Sequence, residues 1–314
     1  MTASGARSEA KPSEGKGLKI GAVFPTCEIG NDPAVIRDFA QTAEGLGYSH
    51  LVVYDHVLGA VHQGREPKLT GPYTERDPFH EPFVLYGFLA AVTTRLELAT
   101  GVIILPQRQT ALVAKQAAEV AVLSGGRLRL GVGTGWNWVE YEALNESYST
   151  RGKRMNEQVE LLRQLFRGEP IDFEGKYHRV DRAGILPAPP APIPIWFGGF
   201  TPAAITRAAR IGDGFLFGAA SRPMQALCQS LRQELEAAGR ASAPFGIESV
   251  IHYGEGPERW RAAAEAWKAL GATHFSMRAM ETGAALMGEK TAGFTTPRQH
   301  IEALEPFIRA VRDV

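Results

Sequence analysis

The sequence has few cysteines, no excess of either charge and no long apolar run. Cys27 and Cys228 are the two cysteines in 314 residues, and without a CxxC motif they indicate neither a disulfide scaffold nor a thiolate metal site. The 34 Lys and Arg residues balance 34 Asp and Glu residues, unlike the basic surface of a nucleic-acid-binding protein. No apolar run reaches the roughly 20 residues of a membrane span. We therefore expect a cytoplasmic protein with no nucleic-acid or membrane partner.

The first 16 residues differ in composition from the rest of the chain. Residues 1–16 are polar and rich in small residues, and they lack the apolar segment of a secretory signal. They are expected to form a flexible N-terminal tail. Residues 17–314 are predicted to form a single domain, and the 44% hydrophobic residues and 34 glycines of the chain are typical of an α/β protein.

Short β-type runs alternate with helical patterns along the chain. Eight such runs lie at residues 18–24, 50–55, 96–104, 127–135, 193–199, 213–218, 245–253 and 274–279. Between them, residues 32–48 and 110–126 have apolar residues at helical spacing and carry glycine at or next to their last position, the usual residue past a helix C-terminus. Eight strands, each followed by a helix, predict an α/β fold of the (β/α)8 TIM-barrel class. A doubly wound parallel sheet is the alternative.

Two connections are too long for a bare barrel. Residues 55–83 follow the second strand and are polar and rich in Pro and Gly, whereas residues 168–192 precede the fifth strand and carry a proline cluster. The first connection leaves the C-terminal end of a strand, where barrel enzymes keep their active sites, and is expected to be a binding loop or lid. The second is expected to be mostly a surface insertion.

A glycine-rich segment, "GVGTGWNW", occupies residues 131–138. Its G-x-G-x-G spacing differs from the G-x-G-x-x-G dinucleotide fingerprint, and it lies in the fourth βα unit rather than the first. Under that alternative, "RGKR" at residues 151–154 would suit the 2′-phosphate of NADP. On a barrel, Gly131 is expected to pack inside, whereas residues 133–135 lie at the rim, where bare main chain admits a flat ring.

A second glycine pair ends the fifth strand. Gly198, Gly199, Phe200 and Thr201 precede a predicted helix with Thr201 as its N-cap and Pro202 at its first position. Because free N–H groups at a helix N-terminus attract anions, this turn predicts a phosphate site. A capped helix without a ligand is the alternative.

Asp55 and His56 follow the second strand, at the predicted catalytic rim. Histidine side chains titrate near neutral pH, so His56 is a candidate to exchange a proton with a substrate or cofactor. His62, His80 and His178 lie in polar loops without metal-ligand spacing, and no metal is expected.

Together these motifs resemble the luciferase-like monooxygenase family, in particular its subgroup that uses the deazaflavin coenzyme F420. The resemblance runs from about residue 18 to the C-terminus. It depends on the order and number of motifs, which lie at residues 54–57 ("YDHV"), 99–136, 140–144, 151–180 and 192–215.

The resemblance implies a TIM barrel that binds the tricyclic ring of F420 at its C-terminal mouth. It implies a non-prolyl cis peptide between Gly101 and Val102, which forms a bulge behind the ring. Residues expected beside the ring are Asp55, His56, Gly133, Thr134 and Gly135. The turn from Gly198 to Thr201 would hold the phosphate, with Arg151 and Arg154 adding charge. The alternative for both arginines is a solvated helix face.

One residue departs from the family. Its sugar-phosphate dehydrogenases have a Glu directly after G-T-G that helps proton transfer, whereas this chain has Trp136. We therefore expect a more apolar pocket and a substrate other than a sugar phosphate, with Trp136 against the ring or substrate and Trp138 on the substrate side. Glu28, after the first strand, is a candidate to supply an acidic group instead, and a solvated loop residue is the alternative.

The predicted function is hydride transfer between F420 and a small organic substrate, with His56 or Glu28 handling the proton. An FMN-dependent monooxygenase on the same barrel is one alternative, and a cofactor-free binding barrel is another. By analogy with the family, a homodimer is expected.

Overall fold

Parallel strands form the centre of the structure, a computed structural model that describes residues 17–286 and 288–314. The tail predicted at residues 1–16 lies outside the described residues. The strands are β1 (Lys19–Val23), β2 (His50–Val53), β3 (Glu97–Thr100), β4 (Ile103–Ile104), β5 (Leu128–Gly133), β6 (Ile171–Glu174), β7 (Arg179–Ala183), β8 (Ile195–Gly198), β9 (Gly214–Phe217), β10 (Gly246–His252) and β11 (His274–Arg278). The helices are α1 (Pro33–Leu46), α2 (Pro82–Val92), α3 (Thr110–Leu123), α4 (Trp138–Ala143), α5 (Arg151–Leu165), α6 (Pro202–Ile211), α7 (Arg222–Ala237), α8 (Pro257–Ala269), α9 (Pro297–Glu302) and α10 (Leu304–Val311).

The large sheet closes on itself. Its strands follow the order β3-β2-β1-β11-β10-β9-β8-β5, and β5 also pairs with β3. Every pairing in it is parallel, and β4 continues the line of β3 along β5. The result is an eight-stranded barrel surrounded by helices, which confirms the predicted fold and excludes the open doubly wound sheet. All eight predicted strand segments are present.

Helix α1 shows how the sequence pattern produces these elements. Its buried residues Ile36, Phe39, Ala40 and Ala43 recur at helical spacing and face the barrel. The Asp32 side chain accepts the N–H of Ala34, and Gly47 ends the helix with φ at 91°. None of the helices in the described part of the chain combines the length and apolarity needed to cross a membrane.

The two long connections differ in structure. Residues 54–81, between β2 and α2, consist of turns and irregular chain that reach the C-terminal mouth of the barrel. The connection before β8 contains the antiparallel hairpin β6–β7, in which β7 is largely exposed. The predicted surface insertion is therefore partly regular, because its backbone groups pair within the hairpin.

The line of β3 and β4 is interrupted at the predicted bulge. The peptide bond between Gly101 and Val102 is cis, which confirms the implication of the family resemblance. Beside it, the Thr100 hydroxyl donates to the carbonyl of Gly131 at 2.7 Å and accepts the N–H of the same residue at 2.8 Å. A Cβ at Gly131 would collide with the Thr100 carbonyl, so this glycine packs inside the barrel as expected.

Candidate active site

A cavity of about 620 Å³ opens at the C-terminal ends of the barrel strands. Barrel enzymes carry their active sites at this end. Of the residues predicted to bind the cofactor, all but Arg154 line it: Asp55, His56, Gly101, Val102, Gly133, Thr134, Gly135, Trp136, Arg151, Gly198, Gly199, Phe200 and Thr201. The fold thus brings segments from β2, the β3–β4 junction, β5 and β8 to one site.

Small residues shape one wall of this cavity. A Cβ at Gly133 would lie 2.5 Å from a methyl carbon of Val102, and one at Gly198 would lie 2.7 Å from the other methyl. The Val102 side chain therefore occupies the space that side chains at these two positions would need. Gly135 has φ at 60°, a conformation that favours glycine. The lack of side chains at Gly133 and Gly198 therefore lets Val102 pack into the wall of the cavity.

The Asp55 carboxylate connects two segments of the cavity wall. Its buried carboxylate accepts the N–H of Ile104 at 2.9 Å and pairs with Arg108, whose Nη2 lies 2.7 Å from Oδ1. Burial opposes the charge of Arg108, but Asp55 and Glu81 outweigh it and raise the pKa of the guanidinium. Asp55 borders the cavity, while its carboxylate oxygens hold β2 to the segment after the bulge.

His56 lines the cavity, and a buried carboxylate holds its ring in place. Its Nδ1 lies 3.1 Å from Oε2 of Glu140, a carboxylate that is 1% exposed. The ring also contacts Tyr73, Phe79 and Trp136 at centroid distances of 5.2, 4.8 and 5.4 Å. These contacts fix the imidazole, so it can exchange a proton in a defined position.

Trp136 lies between the rim and the long loop after β2. Gly71 packs directly on its ring, where a Cβ would collide with it, and the His62 ring lies 5.9 Å away. With Pro72 and Tyr73 lining the cavity as well, this end of the site is largely aromatic and apolar.

The opposite end of the cavity is suited to an anion. Thr201 caps α6, with its side chain accepting the N–H of Ala204, and the first turn of the helix lines the cavity. Two cations flank it. Arg151 stacks on Tyr148 at 3.7 Å, and among the described residues its buried Nε has no hydrogen-bond partner. Arg207 donates from Nη2 to the carbonyl of Gly152 at 3.2 Å.

Arg154 makes a different set of contacts from Arg151. It is 5% exposed and donates to the carbonyl of Pro106 from both Nε and Nη2, at 3.0 and 2.6 Å. It also donates to Thr150 and Ser147. It therefore braces the chain below the site and does not line the cavity.

Glu28 and Trp138, two predicted site residues, lie outside the cavity. Oε1 of Glu28 accepts the backbone N–H and hydroxyl of Thr282 at 2.7 and 2.6 Å, and Oε2 accepts the N–H of Glu281 at 3.1 Å. Trp138 instead packs against Arg65 at 5.6 Å. Both residues follow a strand end closely in sequence, but the chain turns their side chains away from the mouth.

Arg278 is a cation at the site that belongs to none of the sequence motifs. It ends β11, is 4% exposed, lines the cavity and is ion-paired with Glu289. Burial raises the pKa of the neighbouring Tyr54 phenol, and the charge and hydrogen bond of Arg278 oppose that shift. The sequence indication for it was an arginine at the end of a barrel strand, because the carboxyl ends of the strands meet at the active site.

The sequence gives weaker indications of two further residues at the site, Arg207 and Glu140. Arg207 lies four residues after Ala203, on the helix face that begins at the capped N-terminus. Glu140 contacts His56 across 84 residues of chain, and nothing local predicts that contact.

The three loop histidines, His62, His80 and His178, each lie within hydrogen-bond distance of another group of the protein. His62 bonds to the carbonyl of Tyr73 at 2.9 Å, and His178 lies 2.8 Å from Glu157. His80 approaches the carbonyl of Gly30 at 3.1 Å. Across the described residues, no cluster of three or more His, Cys, Asp or Glu side chains is arranged to hold a metal ion.

The barrel and its mouth define the class of protein as a TIM-barrel enzyme, and sequence comparison identifies the family. The profile of the luciferase-like monooxygenase family matches residues 8–312. The chain belongs to the luciferase-like monooxygenase family.

The chain is also similar to curated proteins. An uncharacterized protein of Mycobacterium tuberculosis is 38% identical over 233 residues, which are 72% of this chain and 80% of the relative. The F420-dependent glucose-6-phosphate dehydrogenase of Nakamurella multipartita is 31% identical over 252 residues, 76% of this chain and 69% of the relative.

Solved structures show the same fold. The monooxygenase RslO1 from Streptomyces bottropensis superposes with a TM-score of 0.74 at 18% identity, covering 94% of this chain and 99% of its own. An F420-dependent secondary alcohol dehydrogenase in complex with an F420-acetone adduct gives 0.72 at 18% identity, covering 95% and 100%.

Proposed function

We propose that this protein is an F420-dependent oxidoreductase that transfers a hydride between the coenzyme and a small organic substrate. The observation that carries the proposal is one cavity lined by the imidazole of His56, by the glycines that end β5 and β8, and by the capped N-terminus of α6. The relatives named F420-dependent glucose-6-phosphate dehydrogenase support the choice of coenzyme.

The residues present fit such a coenzyme. Val102 packs against the bare main chain of Gly133 and Gly198 and forms part of the cavity wall. Arg151 and Arg207 line the cavity near the capped end of α6, where their charges suit an anionic group. When bound, the deazaflavin supplies the hydride chemistry. The protein supplies the position, the exclusion of water and, through His56, a group that exchanges a proton.

The substrate we propose is small and less polar than a sugar phosphate. Trp136 replaces the acid that follows G-T-G in the sugar-phosphate dehydrogenases, and Pro72 and Tyr73 extend the apolar surface around it. Arg278 adds one buried cation on the wall formed by β11.

Titration of the purified protein with F420 and, separately, with FMN tests the function. We expect F420 to bind and to exchange hydride with a substrate in the absence of oxygen. Tight FMN binding with oxygen-dependent turnover would instead identify a flavin monooxygenase. If neither flavin binds and His56→Ala changes no activity, the protein is a binding barrel rather than an oxidoreductase.

We further propose that the protein is a homodimer in which α2 and α3 face a second copy. Helix α2 carries no charged residue, and its outward side presents Val84 and Phe88, which are 73% and 38% exposed. The adjacent α3 presents Leu112 and Leu123, which are 53% and 56% exposed. A face of this kind on neighbouring helices is typical of a protein interface.

We propose a cytoplasmic location, since both cysteines are free thiols.

A further inference from the structure

Glu140 lies behind His56, in the first turn of α4, with its carboxylate buried. Its Oε1 accepts the backbone N–H of Val57 at 2.6 Å and that of Leu58 at 3.0 Å. Its Oε2 lies 3.1 Å from Nδ1 of His56. One oxygen therefore holds the chain after β2, and the other holds the imidazole.

This arrangement selects one form of the imidazole. A carboxylate accepts hydrogen bonds and donates none, so a neutral His56 beside it carries its proton on Nδ1 and leaves Nε2 as an acceptor. Because Nδ1 is turned toward Glu140, Nε2 is the ring nitrogen available to the cavity that His56 lines. Asp55, the adjacent carboxylate in sequence, is paired with Arg108 instead.

The other groups around the ring do not compete for this bond. Tyr73 and Phe79 come from the loop after β2 and Trp136 from the end of β5, and each contacts the imidazole through its aromatic ring. His62 contacts Trp136 and bonds to a backbone carbonyl.

We propose that Glu140 is a positioning residue that makes His56 a proton acceptor at Nε2. The inference rests on the proposed function, in which His56 exchanges a proton with the substrate. When a substrate hydroxyl gives up its proton, the O–H bond breaks, its electron pair stays on the oxygen and an Nε2–H bond forms. Glu140 then lies against the positive charge of the imidazolium. The resting protein is thus prepared to accept a proton from the substrate.

The substitution Glu140→Gln separates this role from a purely structural one. The Gln carbonyl oxygen can still accept from Val57 and Leu58, but its amide group now donates toward Nδ1 of His56. The variant should therefore fold and move the His56 proton to Nε2. Glu142→Gln, an exposed position on the same helix, is the matched control.

Long-range proton–nitrogen NMR of the full chain labelled with ¹⁵N-histidine reports the tautomer directly, with His56 assigned from its absence in His56→Gln. We expect protonated Nδ1 in the wild type and Glu142→Gln, and protonated Nε2 in Glu140→Gln. With substrate and F420, kcat of Glu140→Gln should fall about 100-fold or more while KM changes little.

A wild-type His56 protonated on Nε2, or a tautomer unchanged in Glu140→Gln, overturns the proposal. The wild-type spectrum decides this even if the variant does not fold. If the tautomers behave as expected but no F420-dependent turnover exists, the positioning by Glu140 stands and the proposed function fails.

Discussion

Arg108 and Asp55 form a two-point ion pair within the wall of the cavity. Nη2 of Arg108 lies 2.7 Å from Oδ1 of Asp55, and Nε lies 3.3 Å from Oδ2. The Asp55 side chain is fully buried, and its Oδ2 also accepts the N–H of Ile104. The pair therefore joins the end of β2 to the chain that follows the bulge at Val102.

Removing the cation should destabilise the protein strongly. In Arg108→Met the Asp55 carboxylate stays buried without its partner, and the free energy of unfolding should fall by about 3–5 kcal/mol. Urea denaturation measures this change. Arg309→Met is the control, because its ion pair with Glu305 is exposed and should contribute less than about 1 kcal/mol. Equal effects of the two substitutions would contradict the structural role of the Asp55 pair.

The second prediction concerns the packing of Val102 against Gly133. Gly133→Ala places a methyl group 2.5 Å from a Val102 methyl, which should cost about 1–3 kcal/mol and weaken F420 binding. Val102→Ala removes the colliding atoms, so the double variant should recover much of this loss, and a double-mutant cycle measures the coupling. In Gly45→Ala, where the added methyl meets open space within α1, stability should rise by about 0.5–1 kcal/mol. Additive effects of the first two substitutions would contradict this packing.

The barrel and its rim could be predicted because their signals are local. The barrel strands come from short β-type runs, and Gly133 and Thr201 stand at or just after the end of such a run. Glu140 and Arg207 could not be predicted in the same way, since their positions depend on which helices meet at the mouth. Glu28 is the opposite case. Its position after β1 predicted a site residue, but the fold places its carboxylate against Thr282.

The third prediction concerns the end of the cavity where we propose that an anionic group of the coenzyme binds. Arg207→Met should weaken F420 binding by about 10- to 100-fold, because one charge-assisted contact is lost. Binding of a deazaflavin fragment that lacks the phosphate and tail should change little. Arg210→Met, an exposed arginine on the same helix, is the control. An equal loss of affinity for the fragment would show that Arg207 acts on the fold of the site rather than on the anion.

The exposed face of α2 makes a fourth prediction. The double substitution Val84→Glu and Phe88→Glu should convert a dimer into a monomer, because two charges would have to be buried without partners. Light scattering after size-exclusion chromatography measures the mass. Ala262→Glu, on the exposed side of α8, should leave the mass unchanged. A dimer that survives the double substitution would place its interface elsewhere.

Glu28 makes the last prediction, on stability in acid. Burial alone would raise its pKa, but hydrogen bonds from His300, Thr282 and Glu281 lower the pKa from its usual 4.5 to about 2. Since the folded-state pKa is the lower one, the stabilisation is complete above about pH 4.5 and is lost as the pH falls toward 2. In Glu28→Gln this part of the acid-dependent loss should disappear, a difference of about 1–2 kcal/mol after solvent screening.

Denaturation curves across that pH range, with the exposed Glu258→Gln as control, measure the difference. F420-dependent turnover of Glu28→Gln should remain close to that of the wild type, because the Glu28 carboxylate lies outside the cavity. If turnover is lost while the acid dependence of stability is unchanged, Glu28 takes part in proton transfer after all, and His56 does not handle the proton alone.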